Sequence, residues 1–317
     1  MSFIPEKGKA LFISKNTFSV WLPVQAGVFR ASGGLLLFQA IARLLALAAA
    51  MQHAVLLRLR LARRGIALLL HPAEVDDFSH PAILRTTPNT DKGKHTMGQF
   101  ITLTAQDGHK LSAWQTGPQD ARVGMVVIQE IFGVNNHMRN MCEKFAAQGY
   151  AVIAPALFDR TTRGVELGYT ADDVTAGRNL RGTLSDAEVM MDVDAAANAL
   201  GSRKLGIVGY CFGGTVGWWG ATRSNKFAAA NGWYGGGVAG TRMERPGCPV
   251  QLHFGEKDTG IPLTDVEAIR AAQPGVEVFV YPGAQHGFGC DERGSFSAPD
   301  AALAHERTFA FFAKHLK

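Results

Sequence analysis

Three side chains able to perform nucleophilic acyl transfer occur in one order along the chain: Cys211, Asp258 and His286. The first ends an apolar run, "LGIVGYCFGG", where a lone cysteine stands between Gly209 and Gly213. A buried structural cysteine has no need of flanking glycines, but a cysteine on a sharp strand-to-helix turn does. Such a turn lifts the side chain clear of the sheet. It also sets the Phe212 N–H and a helix N-terminus beside the sulfur, which favours a thiolate and offers one donor to an oxyanion. "HFGEKDTGIP" puts Asp258 after a second apolar run, and "YPGAQHGF" puts His286 in a glycine-rich loop after a third. His286 can take the thiol proton, and Asp258 can fix the imidazole tautomer and favour its charged form.

Those residues converge only if the elements before them lie side by side. From residue 98 onward, short β-rich apolar runs alternate with helical patterns. "FITLTA" and "LSAWQT" flank Asp107-Gly108 and read as a hairpin. "GMVVIQE", "AVIAPALF", "KLGIVGY", "FAAANGWYG", "CPVQLHFG" and "VEVFVYPG" read as strands. "HMRNMCEKFAAQGY", "LSDAEVMMDVDAAANAL", "GGTVGWWGATR", residues 264–273 and "DAALAHERTFAFFAKHL" read as helices, and residues 159–182 as a polar loop. Strands separated by helices imply an α/β class with a mainly parallel central sheet and helices on both faces. In such a sheet chemistry gathers at the carboxyl ends of the strands. His253, inside its strand, reads as a packed histidine with no role.

The formal charge of +5 is unevenly placed. Residues 1–96 hold 12 Lys+Arg against 5 Asp+Glu, and residues 97–317 hold 20 against 22. The larger part carries no basic stripe interleaved with aromatics, so nucleic-acid binding is set aside. The Leu-, Ala- and Arg-rich stretch of the N-terminal segment is interrupted by Arg43 and Arg58, too closely spaced for a spanning helix. Residues 1–96 are expected to be a poorly ordered or partly helical extension or a mis-assigned start, with membrane-surface contact as the other reading. Residues 97–317 are expected to form the catalytic domain. Four unpaired-looking cysteines point to a reducing, cytoplasmic setting.

With these residues in place, the chain resembles the dienelactone hydrolase (carboxymethylenebutenolidase) family of the α/β-hydrolase superfamily over residues 98–317. The similarity lies in "VVIQEIFGVNNHMRNMCEKFAAQGYAVIAPALFDR", "VGYCFGG", "HFGEKDTGIP", "GAQHGF" and "ERTFAFFAKHL". It implies an α/β-hydrolase fold, with Cys211 as nucleophile, His286 as base and Asp258 as orienting acid. It also implies a role for Glu130, in "QEIFG", in gating the ionisation of the thiol, and for the Ile131 N–H as second oxyanion donor. The family's founding members carry an arginine four residues after the histidine to bind a substrate carboxylate, and here that position is Cys290. Arg293 is the nearest substitute. Arg163 and Arg178, with Tyr169 nearby, are candidates for a second arginine in the lid-like segment. Cys290 lies close enough in sequence to His286 to suggest that it and Cys211 pair under oxidation.

The resulting expectation is a cysteine-dependent hydrolase of small activated esters or lactones, monomeric or homodimeric, working through an acyl thioester. No ligand-spaced His, Asp or Glu and no helix-opening Gly-x-Gly-x-x-Gly occur, so neither metal nor organic cofactor is expected. The competing expectation is a catalytically silent binding or regulatory protein on the same fold.

Overall fold

The computed structural model describes residues 95–317. The reading of residues 1–96 as an extension falls outside that span, apart from the last two residues, which open the first strand. Strands β1 (His95–Thr104) and β2 (Lys110–Pro118) form the expected antiparallel hairpin. Gly108 turns it at φ +84°, and the Ala105 amide donates to the His109 carbonyl at 2.8 Å.

The remaining strands are β3 (Val123–Ile128), β4 (Ala151–Pro155), β5 (Lys204–Tyr210), β6 (Phe227–Trp233), β7 (Val250–Gly255) and β8 (Glu277–Tyr281). All eight join one sheet in the order β1-β2-β4-β3-β5-β6-β7-β8. β2 runs antiparallel to β4, and every pairing from β4 to β8 is parallel. Every residue of β3, β4 and β7 is buried, the signature of strands covered on both faces. β3 and β4 accordingly read as continuous apolar runs, whereas β7 buries the polar Gln251 and His253 among its apolar residues.

The helices are α1 (Asn136–Ala147), α2 (Ala171–Gly182), α3 (Asp186–Ala199), α4 (Phe212–Arg223), α5 (Leu263–Ala272) and α6 (Ala298–Leu316). Polar starts fix several of them. Asn135 caps α1 by accepting from the Met138 amide at 3.2 Å. Thr170 with Asp173, and Ser185 with Glu188, form reciprocal capping boxes on α2 and α3. The polar stretch 159–182, expected to be a loop, therefore contains a helix. It also opens with a 3-10 turn, Leu157–Arg160, where a longer β4 was expected. Among the described residues no helix is long and apolar enough to cross a membrane.

The core under β6 and β7 is aromatic. Trp233 stacks on Phe288 at 5.6 Å between ring centroids and lies 4.7 Å from the ring of His305. The Trp233 indole donates to Thr308 Oγ1 at 3.2 Å. His253 is the packed histidine its position suggested: fully buried, with Nδ1 2.8 Å from the Tyr281 hydroxyl and Nε2 3.0 Å from Gln251 Oε1. Burial holds its pKa well below the usual imidazole range. Burial, with the charge of Lys144 adding to it, likewise lowers His305 to about 3, and neither of its ring nitrogens has a hydrogen bond.

A histidine kept neutral by the fold makes the unfolded chain the better proton acceptor below the free imidazole pKa of about 6.5, so stability is present above that pH and is lost as pH falls. The loss continues down to the folded-state value of about 3. His305→Phe removes one such group. Between pH 7 and pH 5 the wild type should lose about 2 kcal/mol more unfolding free energy than this variant. Urea unfolding at the two pH values checks this, and equal losses in both proteins would contradict it.

Candidate active site

Cys211 joins β5 to α4 with φ +56° and ψ −116°, a conformation that a side chain rarely occupies. Holding it there costs on the order of 1–3 kcal/mol, which the surroundings must offset. The Cys211 amide donates to the Trp233 carbonyl at 3.0 Å, and its carbonyl accepts from the Gly214 amide at 2.9 Å. The glycines on either side are required by contact. A Cβ on Gly209 would strike the Gly213 carbonyl, and a Cβ on Gly213 would lie 2.6 Å from the Gln129 carbonyl oxygen. These are backbone obstacles with no room to yield.

β7 and β8 deliver the partners. His286 Nε2 lies 3.1 Å from Cys211 Sγ, and His286 Nδ1 lies 2.7 Å from Asp258 Oδ2. Asp258 is buried, and its other oxygen accepts from the Gly260 amide at 2.9 Å. The His286 ring rests on Tyr234, with centroids 5.1 Å apart. Tyr234 itself sits at φ +40°, held by its amide's bond to the His253 carbonyl at 2.7 Å. Burial opposes a charge on His286. The negative sulfur of Cys211 and the Asp258 carboxylate outweigh it and push the imidazole up to about 10.

This constellation opens into a cleft of about 530 Å³. Ile131, Phe132, Arg178, Phe212, Trp219 and Arg293 contribute to its walls. Neither the Ile131 nor the Phe212 amide is spent on a hydrogen bond among the described residues. Arg293 lies over the rings of Phe132 and Tyr169, at 5.7 and 5.9 Å. Its Nη1 is 3.6 Å from Glu130 Oε1 and makes no hydrogen bond.

The other expected residues divide. Glu130 is fully buried, and its Oε2 accepts from the Tyr169 hydroxyl at 3.3 Å, with Cys211 not among its hydrogen-bond partners. Tyr169 packs on Phe132 at 4.6 Å and accepts from Asn135 Nδ2 at 3.1 Å, so it stands over Glu130 rather than in the cleft wall. Burial, reinforced by the Glu130 charge, raises its phenol. Arg163 is not brought to the cleft: its side chain is 62% exposed and donates to the Lys110 carbonyl. Arg178, the other lid candidate, is placed in the cleft wall by α2, whose Gly177 lies against the Ile131 carbonyl. Cys211 and Cys290 are both free thiols, and burial, with the charge of Glu130 adding to it, pushes Cys290 up to about 12.

Sequence reading missed Tyr234 and Trp219, and it missed a convergence behind the cleft. Ligand atoms of Glu130, His137 and Cys290 lie within 4.8 Å of one another, although the three are spread over 161 positions of sequence. Spacing along the chain gave no sign of that cluster.

A mainly parallel eight-stranded sheet with a strained residue between β5 and α4, and its acid and histidine after β7 and β8, defines an α/β-hydrolase. Residues 111–316 match the profile of the dienelactone hydrolase family, and the chain belongs to that family of hydrolases. A Synechocystis protein named "Putative carboxymethylenebutenolidase" is 38% identical over 213 residues, covering 61% of this chain and 86% of the relative. A Yersinia pestis protein of the same name is 32% identical over 237 residues, covering 68% and 87%. The crystal structure of a Klebsiella pneumoniae protein named "Putative Dienelactone Hydrolase" superposes with a TM-score of 0.61 at 30% identity, covering 69% of this chain and 98% of that one.

The raised imidazole provides a direct check. An NMR titration should find the His286 ring protonated up to about pH 10 in the wild type. Cys211→Ala removes the negative sulfur beside it and should bring the midpoint down. A midpoint unmoved by that change would mean that the 3.1 Å contact carries no charge.

Proposed function

We propose that this hydrolase cleaves small, activated, anionic esters or lactones through a thioester on Cys211. The observation that carries the reading is the relay from sulfur to Nε2 at 3.1 Å and from Nδ1 to the buried Asp258 at 2.7 Å, at the base of the cleft. His286 already holds the proton that the Cys211 sulfur has given up, and Asp258 stabilises that imidazolium and fixes its orientation. The thiolate adds to the acyl carbon. The Ile131 and Phe212 amides receive the oxyanion, a service worth about 3–4 kcal/mol per donor in comparable sites. Collapse expels the leaving oxygen, which takes the proton from His286 as it departs. Water, deprotonated by His286, then attacks the thioester, releasing the acid and restoring the thiol.

A thiolate expels an enolate readily and an ordinary alkoxide poorly, so an enol lactone suits this nucleophile. The carboxylate specificity is assigned to Arg293, whose Nη1 makes no hydrogen bond and which lies on the aromatic shelf of Phe132 and Tyr169. Arg178 is assigned to the facing wall. Glu130 is read as acting on the thiol through its field, since its oxygens are turned to Tyr169 and Arg293. A silent binding protein gains no support from a site whose nucleophile, base and acid lie at bonding distance.

Two variants test this with a carboxylated dienelactone beside a neutral aryl acetate. Cys211→Ala should lower kcat on both by about a thousandfold or more, as loss of a nucleophile does. Undiminished turnover would remove the thioester from the mechanism. Arg293→Gln should raise KM for the carboxylated lactone by about tenfold to a hundredfold, the worth of a charge-assisted hydrogen bond. The aryl acetate should be unaffected by that change, and an equal loss on both substrates would detach Arg293 from carboxylate recognition.

A further inference from the structure

Behind the cleft, Glu130, His137 and Cys290 each offer one ligand atom, and these atoms all lie within 4.8 Å of one another. All three residues are fully buried. Neither Glu130 Oε1 nor His137 Nε2 makes a hydrogen bond. A buried polar atom left in that condition costs about 1–3 kcal/mol, and here two of them belong to residues of one cluster. The set of carboxylate oxygen, imidazole nitrogen and sulfur is one that binds borderline-soft divalent metals.

The arrangement around His137 adds an independent observation. Its Nδ1 is 3.0 Å from Asp291 Oδ1. A proton held between them on Nδ1 leaves Nε2, which makes no hydrogen bond, with a free lone pair. That is the carboxylate–histidine pattern that orients an imidazole toward a metal. Metal–ligand bonds of about 2.0–2.3 Å would set tetrahedral ligand atoms about 3.3–3.8 Å apart, so the three need close by about an ångström. Arg293, 3.6 Å from Glu130 Oε1, opposes a cation and would have to release that oxygen.

We propose that Glu130, His137 and Cys290 form a binding site for one zinc-like divalent metal ion, with Asp291 as the residue that positions His137. Such an ion draws Glu130 away from Arg293 and places positive charge next to the guanidinium of the cleft wall. The site is separate from the Cys211–His286 contact, and it does not depend on the substrate assigned above.

Cobalt(II) serves as the probe, because a sulfur-to-cobalt charge-transfer band reports directly on a thiolate ligand. Titrated into the full chain, it should bind at one equivalent with that band and be displaced by zinc. Cys290→Ser should abolish the band, while Cys211→Ala should keep it. Asp291→Asn, at a carboxylate 52% exposed and therefore safe for folding, should weaken binding by about tenfold to a hundredfold with the band retained. The proposal is overturned if the wild type shows no stoichiometric binding. It is equally overturned if the band follows Cys211 rather than Cys290, or if Asp291→Asn binds as tightly as the wild type.

Discussion

A cysteine forced to positive φ between β5 and α4 sets the terms for the rest of the molecule. The turn is tolerable because glycines on both sides let the helix start against neighbouring carbonyls, and because Trp233 takes the Cys211 amide. Trp233 is in turn locked by Phe288, His305 and Thr308. The aromatic core thus props up a local strain, and the strain presents the sulfur to His286. Packing and chemistry meet at one backbone carbonyl.

The electrostatics are layered in the same way. Asp258 is buried, with one oxygen on a backbone amide and the other on His286, so its charge is aimed rather than dispersed. A second buried carboxylate, Glu130, is shared between a phenol and a guanidinium. The two buried acids have different partners. Asp258 is bonded to His286, and Glu130 is left with an oxygen that no hydrogen bond satisfies.

Much of this was legible in the chain because it is carried by short-range necessity. Gly-x-Cys-x-Gly after an apolar run admits few conformations, and Asp258 and His286 each follow a strand, so strand order alone brings them to one edge. What was not legible depended on packing across long separations. Helix α2 buries just Gly177, so its sequence lacks the apolar stripe that announces a helix, and its capping box was the one local cue. Arg163 and Arg178 looked equivalent until α2 turned one into the cleft and the chain before it left the other on the surface. The meeting of Glu130, His137 and Cys290 has no local cue, since the turn after β3, helix α1 and the loop after β8 supply one residue each.

The light seating of α2 has an evolutionary side. Gly177 is the one fully buried residue of α2; Leu180 and Arg181 add half-buried contacts, with Arg181 over the Phe212 ring at 4.6 Å, and most of the other positions are exposed and free to change. Cys211 and His286 are held by glycines, ring contacts and backbone bonds that leave little freedom, whereas the exposed positions of α2 are far less constrained. Lineages sharing this scaffold can therefore diverge in what they accept while their reaction stays the same, and α2 is the place where that divergence should accumulate.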